Sequence, residues 1–258
     1  MNFQDIVAEV AEIAGYLWEK GWAERNAGNI SINVSEYYQD KGVKIGEEMP
    51  LPKELKALAG MYFLITGTGK RMRDVQRKPM ENMSVIKVND AGSKYQIVEG
   101  GCRPTSEAPA HLSIHGQMVQ KGGKNKLVLH THPTELIALS HSTRYKAEKE
   151  FNDVLWGMHP EAIIVVPGGV GMVPYEVPGT QDIADLTLKS LENHDIVVWE
   201  KHGCLGIGES LTETFDLVDT LNKSAQLFFI CKSAGIEPEG LTDKNFDDLK
   251  VAFNLSCY

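Results

Sequence analysis

Residues 3–22 place Phe3, Ile6, Val7, Val10, Ile13, Ala14, Leu17 and Trp18 at steps of three and four, which predicts an amphipathic helix with one face turned inward. The following AERNAGNISINVS breaks at Gly28 and Asn29 and then alternates Ile30, Ile32 and Val34, the pattern of a turn and a strand. EMPLPKELKALAG reads as a surface excursion with a short helix. YFLIT, SVIKV and KYQIV predict strands, the last two joined by the hairpin turn NDAGS. TSEAPAHLSIHGQMVQ predicts a helix capped by Thr105 and Ser106, LVLHTH a strand, and PTELIALSH a helix with Pro133 or Thr134 in its first turn. Farther along, AIIVVPG and DIVVW are β-branched runs that predict strands, with the helical TQDIADLTLKSLEN between them. The stretch 210–235 opens with Ser210 and Glu213 at capping-box spacing and stops at Gly235, which predicts one long helix.

Helices and strands alternate without a Gly/Ser or Pro linker, an internal repeat or a low-complexity tract, so a single α/β domain over 1–258 is expected. No apolar stretch is long enough to cross a bilayer and MNFQDIVAEV has no signal-peptide pattern, so a cytoplasmic protein is expected. The net charge of −9 argues against a grip on nucleic acid, which needs clustered Lys and Arg. One basic run, GKRMRDVQRK, departs from this; it suits a solvated face, or the steering of an anionic small molecule. Cys102, Cys204, Cys231 and Cys257 show no Cys-x-x-Cys spacing, which predicts reduced packing residues rather than a disulfide scaffold or a zinc knuckle.

Candidate chemistry begins at LVLHTHP. On a strand, residues two apart share a face, so His130 and His132 point one way and Thr131 the other. Two neutral imidazoles on one face can bind one ion, and a strand end feeding a helix is where α/β sheets gather ligands. The bland alternative is a satisfied core histidine beside one at a solvent edge. His202 in VVWEKHGCLGIG is the candidate third ligand, with Gly203 expected to let the backbone turn beside a bound group. Three ligands with one open position mark a catalytic rather than a structural zinc site. Cys204 fits a small buried thiol, and His111 and His115, one helical turn apart, lack a third partner and are read as helix-face residues. Glu107 stands at a helix start, where an acid either complements the helix dipole or serves as a general base beside a metal. The loops RNAGN and ITGTGK offer backbone that an anion can approach closely. The second resembles half a nucleotide P-loop but carries Leu64 and Arg71 at two required positions.

The order of ERNAGNIS, ITGTGK, PTSEAPAH, LVLHTHPTELIAL, VVPGGVG, VPGTQDIA and KHGCLGIG resembles the class II aldolase/adducin family across nearly the whole chain. The resemblance implies a three-layer α/β/α sandwich around a central, largely antiparallel sheet, assembled as a homotetramer. It further implies a lyase with one Zn2+ per subunit that splits L-rhamnulose 1-phosphate into dihydroxyacetone phosphate and L-lactaldehyde, a small-molecule sugar phosphate being its partner rather than nucleic acid or membrane. By motif, His130, His132 and His202 are the metal ligands and Glu107 the acid/base, while Asn26, Gly28, Asn29, Thr68, Gly69, Thr105 and Ser106 surround the phosphate. Thr68 stands where the family pattern has serine. Glu161 resembles the acid that reaches a neighbouring subunit's site and protonates the aldehyde oxygen. On the same scaffold the alternatives are an L-fuculose-phosphate aldolase, a pentulose-phosphate 4-epimerase, a methylthioribulose-phosphate dehydratase, or a non-catalytic adducin-like module.

Overall fold

The computed structural model describes residues 2–255, and their strands form one sheet. In chain order these are β1 (Asn29–Asn33), β2 (Ile45–Pro50), β3 (Tyr62–Thr66), β4 (Met83–Val88), β5 (Lys94–Gly100), β6 (Leu127–Thr131), β7 (Val170–Val173), β8 (Ile196–Trp199) and β9 (Gly203–Gly208). The spatial order is β2-β5-β4-β3-β1-β6-β9-β8-β7, antiparallel throughout except for the parallel pair β7 and β8. The helices are α1 (Phe3–Glu19), α2 (Met72–Arg77), α3 (Pro79–Asn82), α4 (Ala108–Lys121), α5 (Thr134–Ser140), α6 (Glu148–Met158), α7 (Pro160–Val165), α8 (Gln181–Ser190), α9 (Leu211–Ser233) and α10 (Asp243–Phe253).

The period of two along the strands sorts side chains into two apolar layers. Ile30, Ile32, Leu127, Leu129, Ile196 and Val198 pack with α1, α5, α6 and α9 on one face. Val128, Val197, Trp199 and Leu205 pack with α4 and α8 on the other, as do Phe63 and Ile65 with the start of α4. The result is the expected α/β/α sandwich with a mainly antiparallel sheet. In β1 the second face carries Asn29 and Ser31, both buried polar residues. No described helix is long and apolar enough to cross a membrane.

Asn2 caps α1 through a capping box with Asp5. The helix ends three residues before the 3–22 pattern does, because Gly21 turns into the left-handed region (φ 73°) and Trp22 N–H bonds back to the Leu17 carbonyl at 2.9 Å. The carbonyl of Trp22 is thereby aimed at β6, where it accepts from His132 N (2.9 Å) and Thr131 Oγ1 (2.8 Å).

Several expectations are corrected. AIIVVPG is not a strand: Pro160 starts α7, Ala162 and Ile163 are buried, and the next strand is Val170–Val173. Burial of one helical face there outweighs the β-branched propensity. Within the EMPLPKELKALAG region, the edge strand β2 forms despite Gly46 and two glutamates, since pairing with β5 supplies its hydrogen bonds; a short 3-10 turn follows at Lys56–Leu58. Thr105 and Ser106 do not cap α4. Glu107 is the N-cap residue, and Thr105 Oγ1 accepts from Glu107 N at 3.3 Å. The basic run forms α2 with its flanks, and Arg73 stacks on Trp18 of α1 at 4.8 Å. Cys102, Cys204 and Cys231 are free, and Cys257 lies outside the described residues.

Candidate functional site

β6 lies between β1 and β9, with His130 opposite Asn29 on one side and Leu205 on the other. His130 and His132 do share a face, while Thr131 is turned to the other and held by the Trp22 carbonyl. His202, in the turn between β8 and β9, completes a triangle. Ring centroids are 5.0 Å apart for His130 and His132, 5.1 Å for His130 and His202, and 5.2 Å for His132 and His202, each pair edge to face. The facing ligand atoms of the three all lie within 4.8 Å of one another.

Two further observations test whether a metal fits. The Cys204 carbonyl can only accept, so His130 donates to it from Nδ1 (2.9 Å). His132 likewise donates from Nδ1 to Glu24 Oε1 (2.8 Å). When both rings are neutral, each then presents a bare lone pair at Nε2, and these two atoms sit 3.3 Å apart with no hydrogen to share. Two nitrogens bonded at ~2.0–2.1 Å to one tetrahedral ion stand about 3.3 Å apart, so a cation satisfies what protein atoms do not. Gly203 supplies the second observation. A Cβ there would lie 2.6 Å from the Thr131 carbonyl, 2.8 Å from His132 Cδ2 and 3.1 Å from His130 Cε1. Its role is space for the two rings; the left-handed residue that makes the turn is Lys201 (φ 62°), not Gly203 as expected.

Burial, followed by the neighbouring imidazoles, holds His130 well below its ordinary value and lowers His202 as well. Both shifts keep the rings neutral, the form that binds metal. Trp199 backs the cluster with ring contacts of 4.5 Å to His130 and 5.0 Å to His202, and its own Nε1–H is fixed by Thr187 Oγ1 of α8 at 2.9 Å. Cys204 is buried within the opposite apolar layer, and its thiol is pushed up by burial, so it is a packing residue.

Glu107 reaches the same end of the sheet. Its Oε2 accepts from Asn29 Nδ2 at 2.9 Å. The loops expected to hold phosphate gather beside it. Thr66 Oγ1 accepts from Ile30 N (3.1 Å), Thr105 N donates to the Thr66 carbonyl (2.9 Å), and Thr68 N donates to the Arg103 carbonyl (2.9 Å). These bonds bring the 26–29, 66–69 and 103–107 segments together. Asn26, Thr68, Gly69 and Ser106 are exposed there, Thr105 is buried, and Gly28 (φ 78°) is half-buried with its Cα side against the His130 carbonyl. Between α4 and α8 a cavity of about 140 Å³, lined by Glu107, His111 and Trp199 among others, opens beside the acid.

Glu161 is not brought to this group within the chain. It lies exposed in the first turn of α7, paired with His159 Nε2 at 3.0 Å. Conversely, sequence patterns give no sign of Glu24 or Trp199, whose roles depend on pairings across the fold. His111 and His115, read as helix-face residues, are fully buried against β1, where both meet Ser31 Oγ, at 2.7 and 2.8 Å.

Residues 8–229 match the family model described as "Class II Aldolase and Adducin N-terminal domain". A rhamnulose-1-phosphate aldolase of Bacteroides thetaiotaomicron is 42% identical over 253 residues, covering 96% of this chain and 94% of the relative. One from Listeria monocytogenes is 36% identical over 259 residues, covering 97% and 94%. Among solved structures, a sugar-phosphate aldolase from Thermotoga maritima superposes with a TM-score of 0.80 at 32% identity, covering 92% of this chain and 99% of that one.

Proposed function

Because this chain belongs to the class II aldolase and adducin family, we propose that it is a zinc-dependent aldolase of rhamnose breakdown, cleaving L-rhamnulose 1-phosphate to dihydroxyacetone phosphate and L-lactaldehyde. The observation that carries the reading is the triangle of His130, His132 and His202 with lone pairs converging beside Glu107. The names of the two relatives support the choice of sugar.

In this reading the three histidines hold one ion per subunit, which when bound supplies a Lewis acid for the negative charge left as the C3–C4 bond breaks. Glu107 moves the proton at C3. The 1-phosphate sits among Asn26, Gly28, Asn29, Thr68, Gly69, Thr105 and Ser106, where glycine backbone and free hydroxyls receive it. Held at that end, the sugar gains its orientation from binding energy remote from the reacting bond. The chain works as one domain in a homotetramer, with Glu161 serving the aldehyde oxygen at a neighbouring subunit's site, in keeping with its exposure away from its own histidines.

Zinc-loaded protein given L-rhamnulose and L-fuculose 1-phosphates side by side, with dihydroxyacetone phosphate release as readout, tests the reading. Faster release from the rhamnulose ester is expected, and equal or reversed rates overturn the sugar assignment. Fully metallated protein inert toward both esters overturns the aldolase reading and leaves the epimerase, the dehydratase or a non-catalytic member of the family.

A further inference from the structure

α4 lies along β1 with nearly matching repeats, since four helical residues advance about 6.0 Å and two strand residues about 6.7 Å. The helix and its cap present Glu107, His111 and His115 at steps of four, and the strand presents Asn29 and Ser31 at a step of two. A continuous row of hydrogen bonds joins them. Asn29 Nδ2 donates to Glu107 Oε2 at 2.9 Å, Asn29 Oδ1 meets His111 Nε2, His111 Nδ1 meets Ser31 Oγ at 2.7 Å, and Ser31 Oγ meets His115 Nε2 at 2.8 Å.

One fixed end determines every proton in the row. A carboxylate only accepts, so Asn29 turns its NH2 to Glu107 and its carbonyl to His111. That carbonyl also only accepts, so His111 carries its proton on Nε2 and takes the Ser31 hydroxyl hydrogen at Nδ1. The hydroxyl oxygen then accepts from His115 Nε2–H. Burial pushes His111 down to about 4 and His115 to about 3, so both rings are neutral and the assignment holds near pH 7. Ser31, His111 and His115 are each no more than 1% exposed, and apolar side chains of the same shape would pack there at little or no loss of stability. What the polar row adds is a direction.

We propose that His111 and Ser31 are positioning residues that fix the Asn29 amide, and through it hold the Glu107 carboxylate beside the histidine triangle in one orientation; this rests on reading Glu107 as the acid/base. With Ser31 removed, His111 Nδ1 loses its hydrogen bond and the ring is no longer braced from behind, so the Asn29 amide and the Glu107 carboxylate lose the support that holds them in one orientation.

The test joins 15N imidazole spectra of histidine-labelled, zinc-loaded protein with kinetics of Ser31→Ala. In the wild type, His111 and His115 should both be Nε2–H tautomers. In Ser31→Ala, His111 should remain Nε2–H, because Asn29 still presents its carbonyl, while kcat should fall ~10- to 100-fold, with KM within about twofold and bound zinc unchanged. Ser224→Ala, which alters an equally buried serine on α9 away from the site, should leave kcat as it is. An Nδ1–H tautomer for His111 in the wild type overturns the proposal whether or not a variant folds, and so does wild-type kcat in a folded Ser31→Ala. Normal turnover in Glu107→Ala would sink the acid/base reading and this role with it, while leaving the wild-type tautomers as assigned; that pattern tells the two failures apart.

Discussion

Two groups of histidines lie at one end of the sheet and obey opposite rules. Around Ser31, every ring nitrogen that faces a partner finds a complementary one, and the row of protons is closed. Around Gly203 the Nδ1 atoms of His130 and His132 are satisfied by a carbonyl and a carboxylate, yet their Nε2 lone pairs face each other across 3.3 Å. A buried polar group without a partner costs about 1–3 kcal/mol, so the second arrangement is the one of the two that a bound cation would stabilise. The contrast separates a structural histidine from a candidate ligand by its unmet valence, where burial alone would class His111 and His130 together.

The largest expected effect breaks the open group. His132→Ala should remove most of the bound metal and lower turnover by about 10⁴-fold, the several kcal/mol a Lewis acid contributes; metal analysis showing a full equivalent would displace His132 from the ligand set. Next comes the link between the groups. Glu107→Ala should retain its metal while turnover falls roughly 10²- to 10³-fold, and near-normal rates would reduce Glu107 to a helix cap.

Acid sharpens the comparison through the closed group. His111 and His115 have folded values pushed far below the ordinary 6.5, so the unfolded chain binds more protons between about pH 4 and 6.5. Stability should therefore be flat above that window and decline as pH falls through it, by up to about 1.4 kcal/mol per pH unit for each ring. Urea titrations of metal-free protein across this range check the sign. A His115→Phe variant that unfolds with the same pH slope would show that the ring contributes nothing. The smallest effect compares two buried serines. Ser31→Ala should cost about 1–3 kcal/mol by stranding two imidazole nitrogens, whereas Ser224 Oγ has no partner among the described residues and its loss should change stability by less than about 1 kcal/mol. Equal costs would erase the distinction.

What could be read in advance divides along the same line. His130 and His132 were legible because a strand's period of two puts both on one face, and Glu107 because helix starts carry acids. His202 needed only the observation that one histidine follows another apolar strand. The remaining parts depend on pairings far apart in the chain. Glu24 reaches His132 from 108 positions away, and Ser31 reaches His111 from 80. No local pattern encodes such distances. The same limit explains AIIVVPG, whose β-branched side chains fit a strand until α6 and α9, which pack against α7, give one helical face somewhere to go. It also explains β2, which exists only because β5 offers an edge.

The turn from Trp22 to Asn29 bears a consequence for how this chain can vary. Within eight positions it clasps β6 through the Trp22 carbonyl, orients an imidazole through Glu24, passes through left-handed Arg25 (φ 52°) and Gly28, and delivers Asn29 to the carboxylate. The His132 ring and the Glu107 carboxylate are thus both held from a single short strap. Adding or deleting one residue there would shift the His132 ring and the Glu107 carboxylate out of alignment together, whereas the exposed loop 41–44, outside any strand, would absorb the same change with little disturbance.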